Sequence, residues 1–227
     1  LLACESDPAT DPDSDPTSLL YTWFVDEVLV EGSGEQTLEH PSFSKGQSVS
    51  CSVTPSDGTH FGSPMASAAV EILNSPPSGG QVGVSPNGGT VLDVFSCETG
   101  GAADPDGDAI AWSHQWTING VLAGGMEFLE PPQFVKGDSI VCEAIPHDGE
   151  ELGPLVTSEP LIVGNALPVV GVVVLNPWVP EATSKLQCVA DDVFDPDGDE
   201  VSLTYSWTVN GEIVSAGSDV LVAPAFK

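Results

Sequence analysis

Aspartates at alternating positions recur three times along the chain, in the segments DPDSD (11–15), DPDGD (104–108) and DPDGD (195–199). Carboxylates spaced in this way on a tight turn can converge on one hard cation, and Ca²⁺ takes about six to eight oxygen ligands. The spacing is not that of an EF-hand loop, in which the glycine and the closing glutamate come later. A turn whose aspartates only cap their own backbone is the simpler alternative.

The acidic segments occupy one fixed place in a unit that repeats every 91 to 93 residues. A fixed period of this size indicates tandem copies of one structural unit. We predict a repeat at 1–76 that lacks its first strand, a complete repeat at 77–167, and a repeat at 168–227 that stops before its second cysteine. The recurring positions are Cys4, Cys97 and Cys188; Trp23, Trp116 and Trp207; Cys51 and Cys142; Asn74 and Asn165; and Pro77 and Pro168.

The cysteines predict one disulfide bridge in each of the first two repeats. The bridges expected are Cys4–Cys51 and Cys97–Cys142, and Cys188 is left single because its repeat stops before the matching cysteine. These long spacings are unlike those of a CxxC metal or redox motif. A bridge that closes about 45 residues contributes roughly 4 kcal/mol in the chain-entropy model. Such bridges indicate an oxidising compartment outside the cytoplasm.

Each repeat has the sequence pattern of short β-strands. The segment LTYSWTVNG alternates so that Tyr205, Trp207 and Val209 are expected to share one face, and DSIVCEAIP alternates in the same way. Asn-Gly after two of the tryptophan segments indicates hairpins. Cysteine, tryptophan and second-cysteine strands within about 90 residues are typical of an immunoglobulin-like β-sandwich. We therefore predict an all-β chain of tandem immunoglobulin-like sandwiches with one inter-sheet disulfide each.

The repeats resemble the Ig-like, PKD-like and cadherin-like repeats of large extracellular proteins of bacteria. The resemblance rests on DPDGD ahead of YSWTVNG, on the KGDSIVC strand and on the PHDG turn, and it covers essentially the whole chain. The chain departs from PKD domains because it lacks their aromatic-Asp-Phe-Gly-Asp-Gly run after the tryptophan and carries a cysteine pair. The resemblance implies a spacer, adhesive or fibre-forming array rather than an enzyme.

A second acidic turn is expected opposite each DPDGD loop. Asp57 and Asp148 lie six residues after the second cysteines of their repeats. The two cysteine strands of an Ig-like sandwich run in the same direction, so both loops should emerge at the same end, at about 3.3 Å per residue. We predict that the two loops bind Ca²⁺. The junction asparagine either completes the site, as in the similar cadherin repeats, or is an ordinary turn residue. The predicted ligands are Asp11, Asp13, Asp15, Asp57, Asp104, Asp106, Asp108, Asp148, Asp195, Asp197 and Asp199.

Two other groups of side chains have competing interpretations. Lys45, Lys136 and Lys227 share one turn position before the second-cysteine strand. A solvated turn lysine is the favoured interpretation, and an ion pair or a contact with a neighbouring repeat is the alternative. Trp112 and Trp178 have no counterparts in the other repeats. For them, core packing is favoured over an exposed platform for sugar or for another chain.

Composition excludes several classes of partner. The chain has 34 Asp and Glu against 4 Lys and Arg, a net charge of −30, and it contains no arginine. Binding to nucleic acid or to an anionic membrane surface needs cationic patches, which are not expected here. An acidic coat that only improves solvation is an alternative to cation binding. No apolar run reaches the ~20 residues of a membrane-spanning helix, and neither a signal peptide nor a catalytic motif is recognisable.

These patterns predict a structural repeat segment of an extracellular fibre, adhesin or surface-layer protein that forms a calcium-stiffened rod. The expected location is extracellular or at the cell surface. The expected partners are neighbouring repeats of the same or identical chains, with a filament as one arrangement, and neither nucleic acid nor an inserted membrane. A carbohydrate- or ligand-binding module appended to a secreted enzyme is the alternative function.

Overall fold

The computed structural model describes residues 1–223, which form β-strands joined by turns and contain no helix. The strands of the first repeat are β1 Leu2–Ala3, β2 Ser18–Val25, β3 Val28–Leu29, β4 Thr37–Leu38, β5 Ser48–Ser56, β6 Met65–Ala66 and β7 Val70–Glu71. Those of the second are β8 Ser78–Ser85, β9 Phe95–Ala103, β10 Ala111–Ile118, β11 Val121–Gly124, β12 Phe128–Leu129, β13 Ser139–His147, β14 Val156–Thr157 and β15 Leu161–Ile162. Those of the third are β16 Val169–Asn176, β17 Leu186–Phe194, β18 Ser206–Val209, β19 Glu212–Ala216 and β20 Val220–Leu221.

In the first repeat two sheets are joined by a disulfide. Strand β2 pairs antiparallel with β5 along its whole length, with Trp23 opposite Cys51. Strand β3 extends this sheet beside β2, while β6 and β7 pair with β5. Strands β1 and β4 form the second sheet. Cys4, which follows β1, is bonded to Cys51 with a Cα–Cα distance of 6.2 Å, as the cysteine spacing predicts.

The core of the first repeat consists of the residues that alternate inward on these strands. The Trp23 side chain is 3% exposed, and its indole N–H donates to the carbonyl oxygen of Glu35 at 3.0 Å. This bond satisfies the one polar group that the indole takes out of water. The buried residues of this core are Cys4, Trp23, Val25, Leu38, Val49, Cys51 and Val53.

The second repeat has the same construction. Its sheets have the orders β12-β9-β8 and β11-β10-β13-β14, with β15 also pairing with β13. Ile140, Cys142 and Ala144 alternate inward along β13, each at most 1% exposed. Cys97 and Cys142 form the second predicted bridge, with a Cα–Cα distance of 5.9 Å. The predicted fold, an all-β chain of Ig-like sandwiches with inter-sheet disulfides, is therefore confirmed.

The third repeat is less enclosed than the other two. Its described strands form the sheets β16-β17-β20 and β18-β19. Trp207 on β18 is buried, whereas every residue of β16 is exposed. Strand β18 begins at Ser206, so Tyr205 lies just before it, but Tyr205, Trp207 and Val209 are all more buried than the residues between them, as the alternation predicts. Within residues 1–223, Cys188 has no disulfide partner. Lys227 lies outside the described residues.

The compact units of the structure do not coincide with the sequence repeats. One compact unit consists of Leu1–Gly80, Gly101–Trp112 and Ile145–Leu155, and the other of Gln81–Gly100, Ser113–Ala144 and the described residues from Val156 onward. The second repeat therefore contributes to both units. The boundaries 1–76, 77–167 and 168–227 remain a prediction from sequence periodicity. No helix suited by length and hydropathy to crossing a membrane occurs in the described part of the chain.

Candidate metal centre

The three acidic loops share one local conformation. In each loop the amide of the fourth residue donates to the carbonyl oxygen of the first, at 3.1 Å in 11–15, 3.3 Å in 104–108 and 3.0 Å in 195–199. Oδ1 of the first aspartate also accepts a backbone N–H from within the loop, such as that of Asp106 at 2.9 Å from Asp104. Backbone capping, the simpler function of these aspartates, is therefore present, but it occupies only one oxygen of the leading carboxylate.

The fourth position of each acidic loop has a left-handed backbone. Its φ angle is +68° at Ser14, +83° at Gly107 and +81° at Gly198. Residues with a Cβ rarely adopt this region, which explains the glycine in two of the three loops.

Replacing Ser14 by glycine is expected to stabilise the first repeat by about 1 kcal/mol, because it removes the cost of a left-handed serine. The reciprocal change, Gly107→Ser, should destabilise the second repeat by a similar amount. A Cβ at Gly107 meets no atom within 4 Å, so the effect would be purely conformational. Urea unfolding of the two variants and the parent measures both changes, and a loss of stability in Ser14→Gly would contradict the expectation.

The second acidic turns, which contain Asp57 and Asp148, are stabilised by hydrogen bonds to these aspartates. Oδ1 of Asp148 accepts the backbone N–H groups of Glu150 and Glu151, both at 2.7 Å. A β-bridge between His147 and Leu152 closes this turn. The Glu151 N–H and, next, the amide of Asn74 lower the pKa of Asp148 to about 2. Asp148 is therefore an anion at neutral pH.

The corresponding turn of the first repeat has the same hydrogen-bond pattern. Oδ1 of Asp57 accepts the N–H groups of His60 at 2.6 Å and Thr59 at 2.7 Å. The His60 N–H and then Thr59 lower the pKa of Asp57 to about 2. Asp11 and Asp57 line the same cleft of about 270 Å³. The two acidic loops of the first repeat therefore meet at one end, as the strand directions predict.

At the first junction, residues 74–75, both acidic loops of the second repeat contact the linker. The side-chain amide of Asn74 donates to Oδ2 of Asp148 at 2.8 Å, and the Ser75 N–H donates to Oδ2 of Asp106 at 2.6 Å. Two neighbouring linker residues therefore contact the two loops. Oδ1 of Asn74 and Oδ2 of Asp104 are buried and have no hydrogen-bond partner. Buried acceptors of this kind normally have a donor or a cation beside them.

Lys45 lies between two carboxylates of the same compact unit. Its ammonium is 2.6 Å from Oδ2 of Asp108 and 2.6 Å from Oε1 of Glu150. Asp108, and next Glu150, raise the pKa of Lys45 above its ordinary value. The favoured interpretation of this residue as a solvated turn lysine is therefore wrong. The alternative interpretation, an ion pair, is correct.

The second junction, residues 165–166, repeats two of these contacts 91 residues later, the linker N–H to the second aspartate and the lysine to the last one. The Ala166 N–H donates to Oδ2 of Asp197 at 2.7 Å. The ammonium of Lys136 contacts Oδ2 of Asp199 and is 2.9 Å from Oδ1 of Asn165. Asp199 raises the pKa of Lys136. The solvated-lysine interpretation is therefore also wrong for Lys136.

The acidic clusters differ in how closely their oxygens approach one another. Ligand atoms of Asp195, Asp197 and Asp199 all lie within 4.8 Å of one another. Across residues 1–223, no other group of three or more His, Cys, Asp or Glu side chains is this close. At both junctions a linker N–H and a lysine contact the acidic side chains, so these contacts alone do not explain the difference. Glu150 and Glu151 were missed by the sequence argument, although both follow the PHDG turn directly.

The two unmatched tryptophans have different environments. Trp112 is partly buried, whereas Trp178 is 88% exposed. For Trp178, core packing, the favoured interpretation, is wrong. An exposed indole offers a stacking face to a sugar or to another chain. The carbohydrate partner remains a prediction.

The comparisons with known proteins find only distant structural similarity. No protein-family model matches the sequence, and no curated protein matches it either. A crystal structure of titin domains A168–A170 is similar with a TM-score of 0.33 at 15% identity, over 64% of this chain and 55% of the titin chain. A crystal structure of the chicken CNTN1 FN1–FN3 domains is similar with a TM-score of 0.34 at 10% identity, over 92% of this chain and 76% of that one. The match thus spans little more than half of the titin fragment.

Proposed function

We propose that the chain is a structural repeat segment of an extracellular fibre, adhesin or surface-layer protein whose repeat junctions bind Ca²⁺. Each ion would join the acidic loops of one repeat to the linker that precedes it and so stiffen the array. The two disulfides support a location outside the cytoplasm. The neighbouring repeats, in the same chain or in identical chains, are the proposed partners.

The single observation that carries this proposal is the recurrence of one contact set at both junctions. A linker N–H donates to the second aspartate of the following DPDGD loop, from Ser75 to Asp106 and from Ala166 to Asp197. A catalytic site needs one constellation, whereas a spacer needs the same contact at every joint. Recurrence therefore supports a mechanical function.

The oxygen atoms left without donors support a cation at these joints. Asn74 Oδ1 and Asp104 Oδ2 at the first junction, and Asp197 Oδ1 at the second, are buried without a hydrogen-bond partner. A buried carboxylate oxygen is costly unless a donor or a cation compensates it. All three are hard oxygen donors, the class that Ca²⁺ prefers. The net charge of −30 further favours cation uptake.

Calcium titration after chelation tests the proposal. We expect one ion per junction, with a Kd of about 10⁻⁴–10⁻³ M, the range of extracellular calcium modules. At ~10 mM Ca²⁺, a site with a Kd of 10⁻⁴ M would stabilise its repeat by about 2.7 kcal/mol, measurable as a raised thermal midpoint. Small-angle scattering of the same samples should show a narrower distribution of chain lengths with calcium than without it.

Two single variants assign the ions to their junctions. Asp104→Asn should abolish uptake at the first junction and Asp197→Asn at the second, each leaving the other site intact. Glu31→Gln changes the charge equally at an exposed position far from either junction in the sequence and is the matched control. If the thermal midpoint and the scattering of the parent are the same with calcium as after chelation, the proposal that calcium stiffens the junctions is rejected. The repeat architecture would remain.

A further inference from the structure

We propose that Lys45 and Lys136 are built-in competitors of the metal, each occupying the last aspartate of the following DPDGD loop until a divalent cation displaces it. This inference rests on the proposed calcium sites and names the residues that set their affinity. The competitor is part of the chain, so its local concentration is fixed by the fold.

The placement of the lysines supports this role. Lys45 lies 63 residues before Asp108, and Lys136 lies 63 residues before Asp199. Each lysine precedes a glycine whose N–H donates to the carbonyl oxygen of the residue just after β7 or β15: Gly46 to Ile72 at 2.8 Å, and Gly137 to Val163 at 2.9 Å. The turn therefore holds the ammonium next to the linker. The lysine–aspartate separation and the glycine hydrogen bond are the same at both sites. This recurrence argues against two chance surface ion pairs.

The lysine ammonium and a metal ion compete for the same carboxylate oxygens. The Lys45 ammonium forms ion pairs with Oδ2 of Asp108 and Oε1 of Glu150, both at 2.6 Å. The Lys136 ammonium forms an ion pair with Oδ2 of Asp199. A Ca²⁺ ion that uses the same oxygens would lie beside a positive charge, which is unfavourable at such a distance. Metal binding therefore requires the lysine to leave, and the lysine neutralises part of the acidic cluster when the metal is absent.

Amine acylation measures the displacement directly. Each lysine of the intact chain is labelled with a water-soluble acylating reagent, with chelator or with calcium at equal ionic strength, and quantified by peptide mass spectrometry. We expect Lys45 and Lys136 to react severalfold faster with calcium, because a released ammonium loses its carboxylate partners. Lys185 is exposed and makes no ion pair in the described part of the chain, so its rate should not change.

Charge-removing variants give a second, independent measurement. Lys45→Gln and Lys136→Gln should each tighten calcium binding at one junction by about two- to fivefold, the range for loss of one partly exposed ion pair. In chelator the same variants should melt at lower temperature than the parent, because the carboxylates lose the ammonium that pairs with them. The Lys185→Gln variant should match the parent in both respects.

The outcomes separate this inference from the calcium proposal. Calcium uptake by the parent, with unchanged acylation and unchanged affinity in both lysine variants, overturns the competition and leaves the metal sites standing. Weaker calcium binding in the variants also overturns it, since the lysines would then assist the metal. No calcium uptake by the parent overturns both proposals.

Discussion

Replacing Trp116 by alanine is expected to destabilise the second repeat by about 3–5 kcal/mol, the range for truncating a large buried aromatic side chain. Trp116 is completely buried, and its indole N–H donates to the carbonyl oxygen of Met126 at 2.9 Å. The variant would lose the packing of the ring and leave that carbonyl oxygen without its donor. The result is a cavity in a core that has little capacity to collapse, because a disulfide constrains its sheets.

Hydrogen exchange is the suitable measurement because three repeats need not unfold together. Amides of β13 should lose protection in Trp116→Ala, while those of β5 in the first repeat should keep it. The control is Trp178→Ala, which removes the same side chain from an 88% exposed position and should change stability by no more than about 0.5 kcal/mol. Equal loss of protection in the two variants would contradict the assignment of Trp116 to the core.

Removing the bridge Cys97–Cys142 should cost the second repeat a similar amount, about 4 kcal/mol in the chain-entropy model for a loop of about 45 residues. Both sulfur atoms belong to nearly inaccessible side chains, so the paired Cys→Ala change also leaves small voids. We expect the second repeat of the double variant to unfold at a lower thermal midpoint than in the parent. Reducing agent should no longer change that midpoint.

The remaining cysteine provides the control for this measurement. Cys188 is unbridged within the described chain and only partly buried, so Cys188→Ser should leave the midpoint nearly unchanged. A drop as large as that of the double variant would mean that Cys188 has a structural role that the fold does not explain.

The repeat pattern predicted the fold well because the same physical requirement recurs in each unit. A cysteine pair 45 or 47 residues apart and a tryptophan between them define which strands must face each other across the core. Alternation then placed Ile140, Cys142 and Ala144 inward on β13. The indole N–H groups of the three recurring tryptophans, Trp23, Trp116 and Trp207, each donate to a backbone carbonyl oxygen 10 to 12 residues later, a partner that no sequence pattern indicates.

The sequence was less informative about the polar contacts of side chains. Ser67 and Ser158 hydrogen-bond the backbone N–H of the second cysteine of their repeats, at 3.1 and 3.0 Å. They recur 91 residues apart, so their spacing could have revealed them. The sequence does not identify the lysine partners, because each lysine lies 63 residues from the aspartate that it contacts. The partner belongs to the next copy, and only three-dimensional placement brings the two together.

The 63-residue interval between each lysine and its aspartate has a consequence for how such chains change in evolution. A duplication or deletion of one whole period preserves this interval at every joint, so arrays of different lengths can arise without loss of any pairing. An insertion of part of a period between lysine and aspartate separates the pair. Selection should therefore tolerate variation in the number of copies much more readily than variation in the length of a single copy.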